Sequence, residues 1–193
     1  MKKLGKKGFT LVELAIVMVI IGLLIGAVIK GQAMIDNAKQ KRLLNDIQGI
    51  SAAFFAYYDR YNAVPGDDTS THGWAGVTAG GGNGLIGGNP NTPTGESQEA
   101  WQALRYAGLL TGDPTTTGAA SLPRTPFSDN YGLSSMDFGA SIGTRNYILL
   151  DNIIGSVGEI IDIKHDDGIF STGTVQASGD YTTTAVVDLR FAL

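Results

Sequence analysis

Three carboxylates crowd one short run late in the 193-residue chain: Asp162, Asp166 and Asp167 in IDIKHDDGIF, just before Gly168. Carboxylates so spaced can ligate calcium (Ca2+) together with backbone carbonyls. The run is not an EF-hand loop, because Lys164 takes a ligand position and the glycine falls one place late. It reads first as a polar β-turn built on Asp-Asp-Gly and second as a calcium site. Asp67 and Asp68, after Pro65-Gly66, also read first as a turn, ahead of a second calcium corner or acceptors for a sugar hydroxyl. His72 and His165 have no second histidine nearby, which leaves metal and acid–base roles weak. There is no G-x-S-x-G and no legible Ser–His–Asp constellation. Cysteine is absent, which excludes disulfides, thiolate metal sites and a cysteine nucleophile. The glycine run GGGNGLIGG at 80–88 is not a P-loop, since no Lys-Ser or Lys-Thr follows it. No enzyme activity is expected.

The other chemically loaded residue is Glu13. It is the single charge in FTLVELAIVMVIIGLLIGAVI, residues 9–29. As a helix this run is about 32 Å long, enough for a hydrocarbon core of about 30 Å. Lys2, Lys3, Lys6 and Lys7 precede it and only Lys30 flanks its far end, so the positive-inside bias places Met1 in the cytoplasm and the bulk of the chain outside. A cleaved secretory signal fits less well, because the apolar run is long and helical periodicity continues beyond it. A plain anchor leaves Glu13 unexplained. An ionisable residue within a span calls for a partner. No base lies within the run, but a cut before Phe9 would create an amine that a neighbouring copy's Glu13 could meet in low dielectric.

The run Lys7-Gly8-Phe9-Thr10-Leu11-Val12-Glu13 resembles the type IV prepilin signal. That family comprises type IV pilins and the pseudopilins of type II secretion. The resemblance implies cleavage between Gly8 and Phe9 by a prepilin peptidase, N-methylation of Phe9, and pairing of Glu13 with the Phe9 amine of an adjacent subunit. It implies identical or related pilin subunits and an inner-membrane assembly platform as partners. The implied head is periplasmic, on a subunit destined for an extracellular pilus or a periplasmic pseudopilus. The motif covers residues 1–30 and the carry-over stops there. One departure from many relatives is that no proline appears before Pro65, so Gly22, Gly26 and Gly31 are the weak points of the helix. Several major pseudopilins are similar in holding calcium in C-terminal loops, which keeps Asp162, Asp166 and Asp167 in view. The patterns YxxVPGDD, WxxLxxAGLLTG and IDIKxDDG look like a subgroup of prepilin-like proteins and add no activity.

These residues must be positioned by a long helix and a head. Residues 32–61 stay helical in pattern, with Ile35, Leu43, Leu44, Ile47, Ile50, Phe54, Tyr57 and Tyr61 mostly at three- and four-residue steps. Val64-Pro65-Gly66 ends the pattern. Residues 65–95 form a long Gly-, Thr- and Asn-rich connection, expected as a variable surface loop. Residues 96–108 read as a short helix with Trp101 as a packing anchor. Strands are expected at 147–150, 158–163, 168–170 and 185–191. The expected class is α+β, pilin-like, with the long N-terminal helix packed on a C-terminal antiparallel sheet. The expected divisions are a basic leader at 1–8, a transmembrane or filament-core helix at 9–29, an amphipathic continuation at 30–61 and a head at 62–193.

Charged residues are only 17% of the chain, which suits a membrane segment, and the net charge is −4. Without the four leader lysines, ten basic side chains face eighteen acidic ones. An acidic body of this kind is a poor polyanion binder, so no nucleic-acid partner is expected. A membrane-anchored module that recognises calcium or glycan without polymerising is the alternative of a different class.

Overall fold

Helix α1 runs without interruption from Leu11 to Tyr61. The computed structural model describes residue 8, residues 10–127 and residues 129–193. The chain divides into two units, Met1–Lys39 and Gln40–Leu193. In the described part of the first unit the apolar side chains are exposed around the whole helix, from Leu11 to Ile35. This is the one helix among the described residues long and apolar enough to cross a membrane.

In the second unit the helix changes character. Leu43, Ile47, Ile50, Phe54 and Tyr57 recur at three- and four-residue steps and are buried. One stripe of the helix therefore faces the core, while Lys41, Arg42, Asp59 and Arg60 stay on its exposed surface. Helix α2, Glu96–Tyr106, adds Trp101 and Leu104, both fully buried. Four strands complete the head: β1 Tyr131–Asp137, β2 Thr144–Ile154, β3 Val175–Ala177 and β4 Val186–Ala192. They pair antiparallel in the order β1-β2-β4-β3. Leu133 opposes Ile148 and Leu150 opposes Leu189, and all four enter the main core. Tyr147 and Leu149 alternate to the other face and pack on Phe138 in a second, small cluster. This is the expected α+β, pilin-like arrangement.

Two strand expectations are corrected. Residues 158–163 lie not in a strand but in helix α3, Gly155–His165. Its buried positions, Gly155, Gly158, Ile161 and Asp162, follow helical spacing. The β-branched letters of VGEIIDI favour a strand locally, but tertiary fit overrides them. At Gly158 a Cβ would stand 3.1 Å from the Tyr181 ring and 3.2 Å from Val187, so its absence lets the helix lie close to β4. Residues 168–170 form a turn and not a strand. Strands β1 and β3 carried little signal. β1 is YGLSSMD, whose small polar residues serve a neighbour: Ser134 Oγ donates to the Gly88 carbonyl at 2.8 Å and Ser135 Oγ to that of Ile86 at 2.9 Å.

That neighbour is the glycine-rich run, which is tightly bound to the head. Gly81 N–H and Gly87 N–H donate to the two carboxylate oxygens of Glu96, at 2.8 and 2.7 Å. Gly84 N–H donates to Asp67 Oδ2. Ile86, fully buried, donates its N–H to Asn146 Oδ1 at 2.8 Å.

Candidate functional site

The start of α1 has a defined geometry. Thr10 is the N-cap, and its N–H and hydroxyl both donate to Glu13 Oε2, at 2.8 and 2.9 Å. Glu13 N–H approaches Thr10 Oγ1 at 3.2 Å. This is a capping box, in which cap and third helical residue satisfy each other's donors. The T-x-x-E spacing was present in the sequence, and the sequence reading passed over it in favour of Glu13 alone. Local donors on Oε2 lower the cost of holding a carboxylate among apolar side chains. Among the described residues Oε1 accepts no hydrogen bond, so one oxygen is left for an outside partner. Gly8, expected to precede the cut, is exposed. Phe9, the expected new terminus, lies outside the described residues.

The three late aspartates come together. One oxygen from each of Asp162, Asp166 and Asp167 lies within 4.8 Å of the others. Asp162 sits in the last turn of α3 and is 0% exposed. Its Oδ2 accepts the Tyr181 hydroxyl at 2.8 Å, while Oδ1 is buried without a partner among the described residues. Burial raises the Asp162 carboxyl above the ordinary range. The Tyr181 hydroxyl and the Gly168 backbone N–H work against that rise, and the charges of Asp167 and Asp166 add to it. Asp166 Oδ2 accepts Val175 N–H at 2.8 Å, which ties it to β3. Asp167 builds the turn the sequence suggested: Oδ1 accepts Ile169 N–H at 2.8 Å and Oδ2 the Thr172 hydroxyl at 2.6 Å. Turn and cluster therefore coexist. The donor set, three carboxylates with one buried unpartnered oxygen, is hard and anionic and fits a Ca2+ ion chemically.

Asp67 holds Gly84 N–H on Oδ2, while its Oδ1 is buried without a partner among the described residues; both oxygens of Asp68 are engaged. Asp68 Oδ2 accepts the Tyr57 hydroxyl at 2.9 Å and faces His72 Nε2 at 2.8 Å, while Oδ1 accepts Ser70 N–H. Burial would raise its pKa, but these hydrogen bonds together hold it below the usual carboxylate value. Neither oxygen is spare for a sugar. His72 also packs among Tyr61 and Trp74, and Trp74 stacks on Tyr106 at 5.4 Å and 9°. The D-x-x-x-H spacing of Asp68 and His72 was the signal for this pair.

The sequence reading also missed a carboxyl pair at the β2 bulge. The register between β2 and β4 slips between Leu150 and Ile153, with Asn152 at φ 50°. Asp151 there is pushed up to about 6 by burial, by its hydrogen bond to Asp188 and by that residue's charge.

A long apolar helix with a capped acid at its start, in a chain whose head is α+β, is a pilin-like arrangement. Residues 3–29 match the family model described as the prokaryotic N-terminal methylation motif, and the chain carries there the type IV prepilin-like signature. No curated protein and no solved structure matches the chain. The signature supports a type IV pilin-like or pseudopilin precursor, indicates a structural subunit rather than an enzyme, and implies processing by a prepilin peptidase and assembly with pilin subunits. The motif and the apolar helix are both consistent with membrane anchoring.

Proposed function

We propose that this chain is a structural subunit of a type IV filament, either a type IV pilus or a pseudopilus of type II protein secretion. A prepilin peptidase cuts between Gly8 and Phe9, and Phe9 is N-methylated. Residues 9–29 first hold the subunit in the inner membrane, with the N-terminus cytoplasmic and the head at 62–193 periplasmic. Residues 30–61 carry the helix into the head. An inner-membrane platform then draws subunits into the filament. Leaving lipid is offset when the same apolar surface packs against neighbouring helices. Glu13 meets the Phe9 amine of an adjacent subunit and sets the axial register. The observation that carries this reading is the capped acid, Thr10 to Glu13, opening an unburied apolar helix inside the methylation motif.

The same reading includes calcium at Asp162, Asp166 and Asp167, supported by the orphaned Asp162 oxygen. That oxygen also favours the second reading, an anchored module that binds calcium or glycan and never polymerises. The mass of the N-terminal peptide decides between them, taken from sheared surface material and from membranes. Filament assembly predicts methylated Phe9 as the first residue, in sheared material for a pilus or in membranes for a pseudopilus. An intact Met1 confined to membranes would leave the anchored module.

A further inference from the structure

A cavity of about 300 Å3 lies at the C-terminal end of α1, within the second unit. One side of it is Tyr58 in the last turn of α1 and Asn62 just after that helix. The other side is Thr69 and the glycine-rich run at Gly82 and Gly84.

The polar groups around this space are accessible and uncommitted. Tyr58 is 49% exposed and meets no other ring, whereas Tyr57 beside it is fully buried in the core. Asn62, at φ 52°, ends α1 in the left-handed conformation, and its N–H donates to the Tyr58 carbonyl at 2.7 Å. Glycine could perform that backbone task, so the cap makes no use of the amide side chain. Thr69 lies against Gly82, where a Cβ would stand 2.7 Å from the threonine methyl carbon. The Tyr58 hydroxyl, the Asn62 amide and the Thr69 hydroxyl make no hydrogen bond among the described residues, and all three residues are exposed. The glycine wall is already fixed: Gly82 N–H donates to the Asp67 carbonyl at 3.0 Å and Gly84 N–H to Asp67 Oδ2. Such preorganisation lowers the cost of binding.

Charge narrows the class of ligand. Asp67 is the one charged side chain in the lining, and it is 2% exposed with Gly84 already on it. It does not reach out to a ligand, but its charge opposes an anion, and no cationic side chain lines the cavity to offset it. Ligands carrying phosphate or carboxylate, nucleotides included, are therefore disfavoured. A neutral pyranose ring matches what remains. Its C–H face can lie on an aromatic ring, and its hydroxyls both donate and accept, as amide and hydroxyl side chains do. The volume sits at the lower end of the range for small-ligand sites, about 300–1,000 Å3, which suits a single ring.

We propose that this cavity binds one neutral sugar ring, with Tyr58 as the stacking surface and Asn62 and Thr69 bonding its hydroxyls. The inference does not depend on filament assembly, because every residue it uses lies in one head.

The test is saturation-transfer NMR on the full-length chain in a sugar-free zwitterionic detergent, with the methyl glycosides of glucose, galactose and N-acetylglucosamine. At least one glycoside is expected to bind saturably, with Kd of about 1–10 mM and the strongest transfer to its ring C–H protons. Tyr58→Ala weakens binding by about tenfold or more, while Tyr58→Phe keeps the stacking surface and loses less than about threefold. Asn62→Gly suits the left-handed backbone and removes only the amide, so it weakens binding by about fivefold without lowering Tm. Half of the Tyr58 surface is already in solvent, so its truncation spares the fold, and thermal unfolding without sugar confirms that. No saturable transfer to any of the three glycosides up to about 20 mM, or wild-type affinity in Tyr58→Ala, overturns the proposal.

Discussion

Glu13 opens α1 with one oxygen held by Thr10, through both the backbone N–H and the hydroxyl. The cap fixes where the carboxylate points before any neighbour arrives. Removing the hydroxyl while keeping the shape, as in Thr10→Val, is expected to cost about 1 kcal/mol at the helix start. In detergent that appears as about fivefold faster hydrogen exchange at the Glu13 and Leu14 amides, with Thr10→Ser close to wild type. Equal exchange in all three proteins would remove the cap from the account. Asp151 gives a second prediction, with a defined sign. Its folded pKa of about 6 lies above its ordinary value of 3.8, so the folded state binds the proton more tightly. That contribution is complete below pH 3.8 and is lost as pH rises through about 6. Asp151→Asn imitates the protonated acid: it can still accept from Asn91 and can donate to Asp188. Allowing for partial exposure, it should stabilise the head by about 1 kcal/mol at pH 7, some 2–4 °C in Tm, and by much less at pH 4. An equal gain at both pH values would assign the effect to packing and not to charge.

At the scale of elements, the glycine-rich run shows how a segment almost without side chains is held by another element's charge. Glu96 opens α2 and gathers Gly81 N–H and Gly87 N–H on its two oxygens, while Asp67 takes Gly84. Glu96→Gln sets an amide donor against one of those N–H groups. The expected loss is about 1–2 kcal/mol, which lowers Tm by a few degrees and opens residues 80–88 to protease. An unchanged Tm and cleavage pattern would count against the anchoring role. The sequence could not display this arrangement, because glycine spacing says nothing about which distant carboxylate its amides will meet. Periodicity did display α1, α2, β2 and β4, each of which buries a stripe or face that its own residues mark. It failed at α3, where Ile160, Ile161 and Ile163 imitate a strand and only Gly155, Gly158 and Ile161 together betray the helix. It failed also at β1, whose serines bind loop carbonyls instead of filling the core. The acid cluster was legible because its members are near neighbours in the chain. Its buried member was not, since Asp162 owes its burial to Tyr181 and the last turn of α3.

At the scale of the whole molecule, no disulfide fastens the end of the chain, as there is no cysteine. The segment after α3 depends on polar ties instead: Asp162 to Tyr181, Asp166 to Val175 on β3, and Asp167 to the turn at Ile169 and Thr172. These ties converge on three like charges, which repel one another, and one buried oxygen has no donor among the described residues. A divalent cation would turn that repulsion into a staple joining α3, the turn and β3. Binding to the folded state alone stabilises by about 2.7 kcal/mol at a hundredfold excess over Kd, which for a head of this size is a rise of about 5–10 °C in Tm. The expected result is therefore a melting temperature that rises with calcium, falls back with chelator, and responds little to magnesium, which demands a tighter octahedral shell. Asp162→Asn still accepts the Tyr181 hydroxyl but removes the buried charge, so it should fold and lose the calcium response. Identical melting in calcium and in chelator would reduce the cluster to the turn that Asp167 already builds. The filament would then rest on α1 and the apolar core of the head, with no ion in its account.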